Sequence, residues 1–116
     1  MKETNLLPLH LAIPVLDLEK SRDFYKNILG CDEGRSSDHW VDFNLFGHQL
    51  VIHYKEKSTE KSKTKPVDGK DVPIPHFGVI LEWNQFHNFS KQLIEKGITF
   101  IIDPYIRFKD LPGEQA

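Results

Sequence analysis

Hydrophobic and polar positions along the chain fall into two similar cycles, each an apolar extended run followed by a helix-period stretch that ends at a glycine. The first run, Leu6 to Val15, is apolar almost throughout, as suits a strand packed on one side and partly covered on the other. Asp17 follows as a helix N-cap, Phe24, Tyr25, Ile28 and Leu29 make an apolar stripe, and Gly30 stands where helices stop. Cys31 to Ser37 is a short, weakly marked extended segment. From Trp40 to Phe46 the period is two, with Val41, Phe43 and Leu45 alternating with Asp42 and Asn44. Phe46-Gly47 predicts a tight turn and Gln49 to Tyr54 a further strand. The first half therefore reads strand, helix, strand, strand, strand.

Lys55 to Pro73 breaks the pattern, because lysines are interleaved there with Ser, Thr, Glu and Asp and almost nothing is apolar. Such a stretch buries too little surface to offset its ordering entropy, so it predicts a solvated loop rather than an anion-binding site. The cycle then restarts. Phe77 to Leu81 predicts a strand, Asn84 an N-cap, Phe86, Phe89, Leu93 and Ile94 an apolar stripe, and Gly97 a helix stop. Ile98 to Asp103 predicts one more strand, ended by Pro104. The whole reads as one domain of α+β class: a first module over about residues 6–54, a linker over about 55–73 and a partial second module over about 74–116.

Two landmarks support the duplication. His10 and His76 are 66 residues apart, and the helix-ending Gly30 and Gly97 are 67 apart. Strand parity adds a sharper criterion, since alternate residues face opposite sides. If Leu9, Leu11, Ile13 and Val15 face the helix, His10 faces away from it, and the same parity puts His76 opposite Phe77, Val79 and Leu81. In Gln49 to Tyr54, Leu50 and Ile52 match the helix side, which turns Gln49, Val51 and His53 the other way. Trp40, Asp42 and Asn44 join them, giving a surface more polar than a core tolerates.

Imidazole is a common ligand for borderline divalent metals, so His10, His53 and His76 are the candidate metal ligands. Two histidines and a carboxylate with open positions suit Fe(II), the favoured ion, while other nitrogen and oxygen mixtures suit Zn, Ni or Mn. Trp40, Asp42, Asn44 and Gln49 are candidate substrate contacts. His48 and His39 fall on the wrong parity and His87 falls inside a helix, so none of these three is a candidate.

Composition narrows the function classes. A chain of 116 residues buries roughly two thirds of its unfolded surface, enough for one core. A net charge of -2 with mixed signs gives no field suited to nucleic acid or an anionic membrane. The single cysteine, Cys31, excludes an internal disulfide and reads as a small buried residue. With no signal-like N-terminus and no apolar run near the roughly 20 residues of a membrane helix, a cytoplasmic location is expected.

The stretch from His10 through Gly30, with its Phe24-Tyr25 and Leu29-Gly30 pairs, resembles the opening strand and helix of the vicinal oxygen chelate superfamily, which includes glyoxalase I, extradiol dioxygenases and bleomycin-resistance proteins. Phe46-Gly47-His48-Gln49-Leu50 and Arg107 through Gln115 also resemble a subgroup of small bacterial members. The resemblance implies paired βαβββ modules curling into a cup around a divalent metal, with His10, His76 and His53 at ligand positions. It implies a small-molecule substrate with adjacent oxygens and a reaction closer to a dioxygenase than to a glyoxalase-like isomerase. The alternatives are a metal-free binding protein of the bleomycin-resistance type, with Trp40 and Phe108 stacking on a flat ligand, or an inactive form. In the family the second module continues with two more strands, the last carrying a glutamate ligand. The chain as given has none, and Glu114 reads as a turn residue. The expectation is a C-terminally truncated, incomplete second module, no nameable catalytic base, and a homodimer or strand-swapped assembly.

Overall fold

The computed structural model describes residues 6–56, 63–67 and 70–116, with only the backbone described for 63–67 and 71. The chain divides into two compact units, Met1–Thr59 and Glu60–Ala116.

The first unit has the predicted order. Strand β1 (His10–Val15) leads into helix α1 (Leu18–Asp23), where the Asp17 side chain accepts a hydrogen bond from Lys20 N at 3.0 Å and satisfies a first-turn donor. The helix runs on as a π-helical turn over Phe24–Ile28, closed by Leu29 N–H donating to Phe24 O at 3.0 Å. Gly30, at φ 76, takes the left-handed conformation that ends it. Strands β2 (Asp32–Ser36), β3 (Trp40–Leu45) and β4 (His48–Tyr54) follow. The β3–β4 turn has positive φ at both Phe46 and Gly47, as a two-residue hairpin needs, and Asn44 Oδ1 accepts from Gly47 N at 2.7 Å.

Sheet order is β1-β4-β3-β2, with β1 parallel to β4 and the other pairs antiparallel. Register aligns Leu11 with Leu50 and Phe43, and Ile13 with Ile52 and Val41. Phe43, Leu50, Ile52 and Val41 are the largest fully buried side chains, and each contributes about 1.5–3 kcal/mol by leaving water. The helical segment covers this face: the Tyr25 ring centroid lies 5.6 Å from that of Phe43. Arg22 fastens the helix to β2, donating to Glu33 from Nε at 2.7 Å and from a terminal nitrogen at 3.3 Å.

The second unit departs from expectation. Residues read as a loop form an antiparallel hairpin of β5 (Lys63–Val67) and β6 (Lys70–Ile74). Its lysines and prolines obscured it, yet a two-stranded ribbon has only edges, where Pro66 and Pro73 can lack an N–H. Residues 57–62 and 68–69 of the stretch read as a loop lie outside the described ones. Helix α2 (Trp83–Glu95) has Glu82, not Asn84, at its N-cap, and Gly97 at φ 77 just beyond its end as predicted. The strands expected at 77–81 and 98–103 do not form: an apolar run becomes a strand only when a ladder partner takes its N–H and C=O groups, and among the described residues of this unit only β5 and β6 form one. Glu114 is a turn residue, accepting from Asp110 N at 2.7 Å.

Hydrogen bonding to the Arg22 guanidinium, aided by its charge, holds the Glu33 carboxyl below the usual carboxylate range despite some desolvation. A carboxyl lowered on folding stabilises the fold fully above its unfolded value of about 4.3, and that contribution is lost as pH falls through the folded value. Arg22→Ala is therefore expected to cost about 1–2 kcal/mol in urea unfolding at neutral pH. The gap from wild type should close as pH is lowered below the ordinary carboxylate range; a gap that persists unchanged in acid would refute the pair's role.

Candidate functional site

The sheet face turned away from α1 carries three cross-strand rows. In the first, His10 aligns with Gln49, Gln49 with Asn44 and Asn44 with Asp32, so four polar side chains cross the whole sheet. The middle row is Ala12, Val51 and Asp42, and the third is Pro14, His53 and Trp40. Six of the seven predicted site residues thus stand on one face of one unit, while His76 belongs to the other unit.

Local detail separates their roles. His10 Nδ1 lies 2.7 Å from Gln49 Oε1. A carboxamide oxygen only accepts, so this contact is a hydrogen bond in the tautomer that carries its proton on Nδ1 and leaves Nε2 its lone pair. His76 Nδ1 is likewise 2.7 Å from the Pro73 carbonyl oxygen, which imposes the same tautomer. His48 shows the opposite arrangement: its Nδ1 accepts from Leu9 N at 2.8 Å, so its proton is on Nε2 and the ring serves the junction of β1 and β4. His87 is packed edge-on against Trp83, with ring centroids 4.5 Å apart. His53 is exposed and stands four residues along the register from the His10 row, roughly 13 Å of strand rise. Among the described residues no group of three or more His, Cys, Asp or Glu side chains is gathered for a metal ion.

An open groove of about 390 Å³ lies along this face, lined in part by Asp32, Gly34, Asp42, Asn44, Gly47 and Gln49. Asp42 is only 13% exposed and 3.8 Å from Arg35 Nε, a long contact that leaves the carboxylate able to accept from a ligand. A Cβ at Gly34 would stand 3.3 Å from Asp42 Cβ, so the bare backbone of β2, bulged between Glu33 and Ser36, makes room for this side chain. Asn44 gives its carboxamide oxygen to the hairpin turn. Asp32 is the residue that the sequence pattern missed: its segment is weakly marked, and its place in the polar row follows from the β2–β3 register alone. The Cys31 thiol beside it is buried, and burial, with a smaller contribution from the Asp32 charge, pushes its pKa up, so it is a packing residue as expected.

The family model of the Glyoxalase/Bleomycin resistance protein/Dioxygenase superfamily matches residues 8–107. No curated protein matches the chain. A glyoxalase/bleomycin resistance protein/dioxygenase from Alicyclobacillus acidocaldarius is 32% identical with a TM-score of 0.73, over 98% of this chain and 80% of that one. An integron cassette protein from the mobile metagenome of Halifax Harbour sewage outfall is 25% identical, with a TM-score of 0.59, over 79% and 72% of the two chains. An integron cassette protein of V. cholerae, at 16% identity and TM-score 0.56 over 95% and 81%, shares the fold. Among the described residues no helix is long and apolar enough to cross a membrane.

The division of labour among the histidines can be measured. His48→Ala removes the acceptor of the Leu9 N–H and is expected to lower unfolding free energy by about 0.5–1.5 kcal/mol. His10→Ala, at an exposed position, should stay within about 0.5 kcal/mol of wild type. Equal losses in urea titrations would refute the distinction.

Proposed function

Because this chain belongs to the glyoxalase/bleomycin resistance protein/dioxygenase superfamily, we propose that it is a metal-dependent enzyme acting on a small molecule with adjacent oxygens, dioxygenase-like in preference to glyoxalase-like. The observation that carries this reading is the state of two imidazoles. In each unit one ring has its Nδ1 2.7 Å from an oxygen, and with the proton on Nδ1 the Nε2 lone pair is left to ligate, as in histidines that bind metals.

His10 and His76 are the proposed ligands; His53, read from the sequence as a third, stands roughly 13 Å of strand rise from the His10 row, too far for the two rings to share an ion. Imidazole nitrogens completed by a carboxylate suit Fe(II), the favoured ion, and other nitrogen and oxygen mixtures suit Zn, Ni and Mn. When bound, such an ion supplies Lewis acidity toward the adjacent oxygens of the substrate. The chain's own residues bind and orient. Asp42 accepts from a substrate hydroxyl, the carboxamides of Asn44 and Gln49 offer N–H donors along the groove, and Trp40 offers flat apolar surface. Asp32 and Asp42 disfavour an anionic group over β2 and β3, so the part of the substrate lying there is neutral or cationic. The proposed partners are this substrate and a second copy of the chain, and the proposed compartment is the cytoplasm.

Metal content measured on the purified protein tests the reading. The wild type is expected to hold Fe, Zn, Ni or Mn near stoichiometrically, and the His10→Ala/His76→Ala double variant to lose it. Retention of stoichiometric metal by the double variant would sink the proposal.

A further inference from the structure

We propose that Gln49 is a positioning residue for His10: its carboxamide oxygen holds the imidazole in the Nδ1–H tautomer and so presents Nε2 as the donor atom. The importance of this for metal binding rests on the function proposed above, but the tautomer itself does not.

Geometry makes the pairing specific. His10 and Gln49 are Cα partners on adjacent parallel strands and point to the same side of the sheet, so their side chains start from neighbouring Cβ atoms. Nδ1 is the ring nitrogen nearer the backbone, and the glutamine side chain brings Oε1 to 2.7 Å from it. The next residue in the row does not compete for this proton, because Asn44 Oδ1 is engaged by Gly47 N. Neutral imidazole carries one proton shared between two nitrogens, and one good hydrogen bond shifts that balance by about three- to tenfold.

The chain holds two internal references. His76 has the same tautomer imposed by a backbone carbonyl, which no side-chain substitution removes. His48 has the opposite tautomer, because its Nδ1 accepts a backbone N–H. Gln49 is thus the one of these three partners that mutation can delete. Gln49→Leu removes the acceptor at similar volume, and Gln49→Glu keeps an acceptor oxygen in reach. The position is exposed, so neither change disturbs a packed core.

Nitrogen-15 NMR of the metal-free full chain, well above the ordinary imidazole pKa of about 6.5, reads each tautomer directly. In wild type His10 and His76 should show protonated Nδ1 and His48 protonated Nε2. In Gln49→Leu the His10 signals should move toward protonated Nε2 while His76 and His48 stay in place, and Gln49→Glu should restore the wild-type pattern. Protonated Nε2 on His10 in wild type, or a Gln49→Leu spectrum with His10 unchanged, overturns the proposal. Titration with Zn alone separates this from the functional reading. Wild type that takes up no Zn refutes the metal site, while the spectra still decide the role of Gln49. Where wild type binds, Gln49→Leu should bind about 10–100-fold more weakly, and unchanged affinity overturns the positioning role.

Discussion

The parallel pairing of β1 with β4 is the constraint on which the rest of the first unit depends. The chain leaves β1, crosses through α1, makes two antiparallel turns and must return beside its own first strand. Gln49 N donates to Leu9 O and Lys55 N to Val15 O, both at 2.9 Å, which fixes the two ends of the ladder, and the His48 ring receives Leu9 N at its first end. A slip of one residue would turn every side chain of β1 to the opposite face, burying His10 and exposing Leu11 and Ile13. One register therefore settles both the apolar layer under α1 and the polar face with its groove.

Much of this was legible from period and punctuation. Val41, Phe43 and Leu45 announce a half-buried strand, Asp17 and Gly30 bracket a helix, and parity assigns His10, His53, Trp40, Asp42, Asn44 and Gln49 to one side; the register in the structure puts all six there. What escaped was set by partners distant in sequence. Asp32 enters the polar row through the register of its hairpin with Asn44, and the π-helical turn over Phe24–Ile28 leaves no mark in an apolar stripe that fits an α-helix as well. In the second unit the errors run in both directions for one reason. The runs at 77–81 and 98–103 have strand-like composition without a ladder, while Lys63–Val67 and Lys70–Ile74 have a ladder despite polar composition. Hydrogen-bond partnership, which composition does not encode, decides each case.

Three histidines illustrate how one side-chain type is given different work by its neighbours. A carboxamide oxygen, a backbone carbonyl and a backbone N–H each meet an Nδ1, and the proton follows. Strand parity identifies which rings face the polar side, but the partner atom determines which nitrogen is available there. The backbone carbonyl at Pro73 gives a fixed clamp, whereas the side chain of Gln49 can rotate, so the two proposed ligands are held with unequal rigidity.

The same alternation determines what the outer edge of β1 can accept. Leu9 and Val15 turn their carbonyls toward β4, so the N–H and C=O groups of the even residues His10, Ala12 and Pro14 point to the outer side. Proline has no N–H to offer, so the donors on that edge are His10 and Ala12 alone. An added strand could pair only beside these two residues and would lose its register bond at Pro14. A hydrophobic β1, preceded by exposed Leu6, Leu7 and Leu9, thus carries its own limit on strand addition, and the short stretch that holds both donors adjoins the imidazole that Gln49 contacts.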